Sequence, residues 1–280
     1  MTYQPIVPTG GLGGWRYLQR TIADQQTRFA ASAVNARDLE YFRANIAQAD
    51  TPEKLVADRV LLKVALGAFG LSGEIDKKAF VRKVLQEGST AVDGEPRPFA
   101  LRLADPKYRD LAAAFGYGDE RGAQVAVPGF AEDVAARYRV RAFEEAVGAV
   151  DNAMRLALNF EREMARLAGA GLDDSTAWLR VVGDVPLRSV FERAFGLPQQ
   201  FATLDVDRQA AVLQERAERI TGSAGFRAFA EPEARDAMLR RFFVQEQIAA
   251  GPSASTPGMA ALAILQAGQA QTANLLFSRL

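Results

Sequence analysis

The sequence predicts an all-α protein, an elongated helical domain with helix-turn-helix pairs around one long central helix. Three observations carry this prediction. No segment sustains the alternation of a half-buried strand, and every long periodic stretch repeats at the three-to-four residue spacing of a helix face. The run from Phe130 to Ala168 is rich in Ala, Glu, Arg and Leu and free of proline, the composition of a continuous helix.

Taken in order, residues 1–14 read as a flexible arm, because Pro5–Gly14 (PIVPTGGLGG) is rich in glycine and proline and has no period. Its glycines follow no strand and precede no Lys-Ser/Thr, so a phosphate-binding loop is not indicated. Residues 15–128 form an N-terminal helical half. Trp15, Leu18, Ile22 and Phe29, then Leu39, Phe42 and Ile46, keep helical spacing. Thr51-Pro52-Glu53 supplies an N-cap oxygen, a first-turn proline and a carboxylate at the positive end of the dipole, and opens a helix expected to reach Phe69-Gly70. Further helices are expected near Asp76–Gln86 and Tyr108–Phe115, separated by a proline-marked loop.

Residues 129–252 hold the long helix, with Gly148 as the point of a bend or a break, and the C-terminal half. Helices are expected to start at Asp173-Asp174-Ser175 and to run over Pro186–Phe195, Asp205–Ile220 and Glu231–Ala249. Residues 253–280 are a linker and a last helix, Met259–Leu280. Ala68-Phe69-Gly70-Leu71 recurs as Ala194-Phe195-Gly196-Leu197 and, more weakly, as Ala114-Phe115-Gly116-Tyr117. The unequal spacing excludes a solenoid. Glycine as the left-handed residue that closes a helix explains all three copies, and duplication of a helix-turn-helix unit accounts for the echo.

Composition excludes much chemistry. Lys+Arg and Asp+Glu balance at 34 each, which removes the long-range pull of a nucleic-acid binder. Without cysteine or histidine there is no disulfide, thiolate nucleophile, Ser-His-Asp triad or histidine-based metal set. Glu144, Glu145, Asp151, Glu161 and Glu163 lack the histidines of a di-iron bundle and read as solvated helix faces paired with Arg162 and Arg166. Asp173-Asp174 and Asp205-Val206-Asp207 lack the rest of a calcium loop and read as caps. Arg235, Arg240 and Arg241 beside Phe242 and Phe243 read as amphipathic packing. No catalytic residue, cofactor or metal site is assigned, and the chain reads as a non-enzyme.

Met259–Leu280 carries one charged side chain in 22 residues, so it requires cover from its own domain or from another chain. Its apolar positions Met259, Leu262, Ile264, Leu265, Leu275, Leu276, Phe277 and Leu280 are the expected partner-binding residues, with Trp15, Leu18 and Ile22 as a second contribution. Ile264-Leu265-Gln266-Ala267 and Ala273-Asn274-Leu275-Leu276 resemble the terminal helix of flagellin-type axial proteins, although the N-terminal arm departs from flagellin's long heptad helix. Through the repeated Ala-Phe-Gly-Leu helix ends, the chain as a whole resembles an alphaproteobacterial all-helical family of unknown biochemical function, often encoded among flagellar genes. The resemblance implies a flagellum-associated structural or assembly protein acting through helix–helix contacts. The alternative is a cytoplasmic regulator or export chaperone that binds one protein partner. The expected partners are flagellar components or a second copy of the chain, without nucleic acid or membrane insertion. Residues 1–5 carry no basic segment and precede no apolar one, so the expected location is the cytoplasm, or the flagellum by export without a cleaved Sec signal.

Overall fold

Aspartates punctuate this fold at three helix-to-helix junctions. The computed structural model describes residues 3–92, 96–223 and 225–250. It contains thirteen α-helices, and no β-strand occurs among the described residues. The first half comprises α1 (Gly11–Ala30), α2 (Ala33–Asn45), α3 (Pro52–Ala57), α4 (Arg59–Ala68), α5 (Lys78–Glu87), α6 (Phe99–Arg102) and α7 (Lys107–Phe115). The second comprises α8 (Phe130–Val150), α9 (Asn152–Gly169), α10 (Asp174–Gly183), α11 (Val185–Phe195), α12 (Val206–Thr221) and α13 (Pro232–Ala250).

Asp58 ends α3 and caps α4, Asp151 ends α8 and caps α9, and Asp184 ends α10 and caps α11. Each has extended backbone, and each carboxylate accepts from the first amides of the next helix: at Asp151 these are the N–H groups of Ala153 (2.8 Å) and Met154 (3.2 Å). The long central helix is therefore two helices, divided at Asp151 rather than bent at Gly148, and the helix that opens at Thr51 stops at Ala57 before restarting. An aspartate inside an apolar periodic run is read as one more polar face residue. Its side chain competes for backbone amides, which is what makes it a break here. Asp151→Ala is expected to cost about 1 kcal/mol, checked by urea unfolding.

The other local signals hold. Thr51 accepts from the Lys54 amide with Pro52 in the first turn, and Asp173 accepts from the Thr176 amide. Asp205 occupies the N-cap of α12, but its side chain makes no capping bond. Gly70, Gly116 and Gly196 all have positive φ. At the two strong copies the closing bonds match: Leu71 N–H donates to Leu66 O (2.9 Å) and Leu197 N–H to Glu192 O (2.8 Å), the six-to-one bond of a Schellman motif. The weaker copy closes with the simpler bond from Gly116 N–H to Ala112 O (2.8 Å).

These matched pieces belong to a larger repeat. In both halves an aspartate-capped helix ends in Ala-Phe-Gly-Leu, passes through a 3₁₀ turn (Ser72–Glu74, Gln199–Thr203) and leads to another helix. The spacing from Asp58 to Ala68 equals that from Asp184 to Ala194, ten residues in each case. α4 packs on α8 as α11 packs on α13, and α3 on α5 as α10 on α12. Equivalent positions are buried in both halves, among them Leu61 and Leu187, Val64 and Val190, and Phe69 and Phe195.

Two main apolar cores result. One joins Leu39–Val125 to the first part of α8 through Val134, Ala135 and Tyr138. The other joins Phe143 and Val147 of α8 to residues of α9–α13. α8 thus serves both cores. Trp15, Leu18 and Phe29 of α1 pack in the second core, although they belong to the first half in sequence. Ile6 and Gly11–Gly14 do not stand away from the fold either. Gly11–Gly14 form the first turn of α1, and Gln25 of that helix bonds both backbone groups of Ile6, at 2.8 and 3.1 Å.

Candidate functional site

Helical spacing puts Arg137 and Arg141 on one face of α8, and Arg162 and Arg166 on one face of α9. The turn at Asp151 folds these faces together. With the end of α4 and one side of α7 they line a cleft of about 710 Å³. Its apolar surface comes from Ala68 and Phe69 of α4, Ala113 and Ala114 of α7, and Ala136 and Val140 of α8. Its charged lining is five cations, the four arginines and Lys107, against two carboxylates, Asp110 and Glu163.

Glu163 is the pivot. Its side chain is 5% exposed and receives Arg141 (2.9 Å), Arg166 (2.8 Å) and Arg162. Arg162 also clamps Glu144 with two bonds, of 2.8 and 2.9 Å, and bonds Asn159. Burial alone would raise the Glu163 carboxyl, but Arg162, Arg166 and Arg141 together hold it down at about 2. Burial likewise opposes the Arg162 charge, which Glu144 and Glu163 sustain above the ordinary arginine value. Arg141 shifts the other way: burial, reinforced by nearby Arg162, lowers it despite Glu163. The expectation that these carboxylates lie on solvated faces is corrected here, since Glu144 and Glu163 are both buried.

Toward the mouth the charges are less occupied. The Arg137 guanidinium lies over the Phe69 ring, 5.5 Å from its centre, and no carboxylate among the described residues pairs with it. Arg166 is half exposed. Lys107 lies 3.5 Å from Asp105 and 3.7 Å from Asp184, so the cap of α11 in one repeat reaches the cleft formed by the other. Burial pushes the Asp184 carboxyl up, against the pull of Lys107. The left-handed turn at Gly70 brings the end of α4 against Arg141, whose Nη1 lies where a β-carbon on Gly70 would meet it at 2.7 Å. The Ala-Phe-Gly-Leu helix end singled out in the sequence is therefore a wall of this cleft.

The expected partner-binding residues Met259, Leu262, Ile264, Leu265, Leu275, Leu276, Phe277 and Leu280 lie outside the described residues. Trp15 and Leu18 are not contact residues. Both are buried in the second core, with Trp15 5.8 Å from Phe243, and Ile22 is half-buried against the same core. The Arg235 group is packing, as its pattern indicated: Phe242 and Phe243 are fully buried, and Arg235 bonds Glu161 and the carbonyls of Phe229 and Ala230. In sequence Arg162 and Arg166 read as partners in surface pairs, and Arg137 and Arg141 belong to no motif. Their paired spacing on two adjacent helices was the only available signal. Among the described residues no three side chains of metal-ligating type converge, and no helix is long and apolar enough to cross a membrane.

No curated protein matches the chain. Among solved structures, the crystal structure of protein AGR_C_984 from Agrobacterium tumefaciens, a structural-genomics target, is similar at 27% identity and a TM-score of 0.70. The match covers 89% of this chain and 98% of that one. A family model described as "Protein of unknown function (DUF1217)" matches residues 68–234, a span that begins at the first Ala-Phe-Gly-Leu helix end and takes in every residue lining the cleft. That match extends over more than half of the sequence, and with the helical expectation met, the chain belongs to the DUF1217 family.

Proposed function

We propose that this protein is a non-enzymatic structural or assembly component of the flagellum that works by binding other polypeptides. The observation that carries the reading is the charge-poor Met259–Leu280 stretch, which resembles the terminal helix of flagellin-type axial proteins and needs a covering partner. The helix that leads into it supports the reading, because α13 leaves Val244 and Ile248 exposed in its last turns.

Two measurements test the proposal. Immunoblotting of purified hook–basal bodies, cytoplasm and culture supernatant, in wild-type and export-deficient strains, should place the protein in the hook–basal body fraction only when export is intact. Confinement to the cytoplasm in both strains would reject the axial role and leave the regulator or export chaperone. Deletion of everything after Pro257 should leave a soluble, cooperatively unfolding protein that no longer captures its partner. Loss of folding would instead make Met259–Leu280 part of the core.

A further inference from the structure

We propose that the cleft walled by α4, α7, α8 and α9 is a docking site for an acidic segment of a partner polypeptide, with Asp or Glu carboxylates of that segment seated at Arg137 and Arg166. The inference rests on the reading of the chain as a polypeptide-binding protein, and charge complementarity is its main support. Of the five cations lining the cleft, Lys107 is paired with Asp105 and Asp184 and Arg162 with Glu144, so the charge left open to an incoming group is that of Arg137 and of half-exposed Arg166. Glu163 is shared by three guanidinium groups, and Asp110 lies 3.6 Å from Arg109, outside the lining. Arg137 has only the Phe69 ring beneath it, and Arg166 turns half its surface to water. Excess guanidinium charge in a concave, partly dry site attracts an oxyanion, and the planar fork of arginine suits a carboxylate.

The apolar surface decides between a free ion and a polypeptide. Phe69, Ala114, Ala136 and Val140 contribute nothing to a bare anion, but they would bury the aliphatic stems and apolar neighbours of acidic side chains. The volume of about 710 Å³ falls among ligand pockets of roughly 300–1,000 Å³ and far exceeds the room a small ion occupies. Small side chains at Ala113, Ala114 and Ala136 of α7 and α8 leave room for a backbone to approach.

The test is fluorescence anisotropy on the full chain with a short fluorescein-labelled peptide of alternating Glu and Leu, beside its Gln–Leu counterpart. The Glu peptide should bind about tenfold tighter than the Gln peptide, and added salt should weaken it. Arg137→Gln and Arg166→Gln should each lower that affinity about tenfold without changing cooperative unfolding, and Arg137→Lys should restore part of it. Equal binding of the two peptides, no binding of either, or binding indifferent to these variants would overturn the proposal. Cleft-dependent binding of citrate or inorganic phosphate without the peptide would overturn it in favour of a free-anion site. The titration reads the cleft alone, whereas the hook–basal body and deletion experiments read location and the C-terminal stretch, so either proposal can fail without the other.

Discussion

Replacing Phe191 by alanine is expected to lower stability by about 4 kcal/mol, and so to lower Tm by roughly 10 °C. Phe191 is fully buried on α11. Its ring centre lies 5.4 Å from that of Trp178, 5.5 Å from Phe160, 5.7 Å from Phe195 and 5.9 Å from Phe229. These partners come from α9, α10, α11 and the 3₁₀ turn Phe226–Ala230, so one truncation opens a cavity where four elements meet. Rings of this size cannot collapse into the space without moving a helix, which puts the cost in the upper part of the range for large-to-small changes. Thermal and urea unfolding with coincident probes would measure it. A loss below about 1 kcal/mol would mean that the aromatic cluster is looser than its geometry indicates.

Glu163→Gln comes next, at about 3 kcal/mol near neutral pH. The substitution keeps the shape of the side chain and removes the charge, leaving part-buried Arg141 and Arg162 without their shared partner and Arg162 with Glu144 alone in contact. Arg166 gains water when it loses its partner, so its share of the loss is small. The pH dependence follows from the depressed carboxyl. Because Glu163 titrates at about 2 in the folded chain against the ordinary 4.5, its contribution is complete above pH 4.5 and disappears as pH falls toward 2. The gap between the wild-type protein and Glu163→Gln should therefore be constant from pH 7 to about 5.5 and narrower by about 1.4 kcal/mol at pH 3.5. Urea titrations across that interval would show it, and a gap independent of pH would place the effect in packing rather than charge.

The cleft and the aromatic core use the same repeated frame differently. In the second half, α11 and α13 meet beside Arg241, an exposed residue that donates to the Ala194 carbonyl at the helix end. In the first half, α4 and α8 meet with Arg137 over Phe69 instead, and of the adjoining arginines Arg166 is half exposed. Both copies close with the same backbone bond, and the first differs in placing Arg137 over its phenylalanine beside the cleft.

Much of the fold was legible because its signals are local. The Thr51 and Asp173 caps, the glycine stops at Gly70, Gly116 and Gly196, and the starts of α10 to α13 depend on groups within a few residues of one another, so sequence alone determined them. All-α class follows from the same short-range periodicity. The breaks at Asp58 and Asp151 escaped because an aspartate in an apolar run is compatible with either a helix face or a cap, and only the backbone chooses. Burial was beyond reach for a stronger reason. Whether Glu144 and Glu163 face water or three arginines depends on which helix faces the chain brings together, and whether Trp15 is a contact or a core residue depends on α1 crossing to the second half. Those are encounters between residues far apart in sequence, whose energies depend on desolvation and packing, and tertiary structure alone decided them.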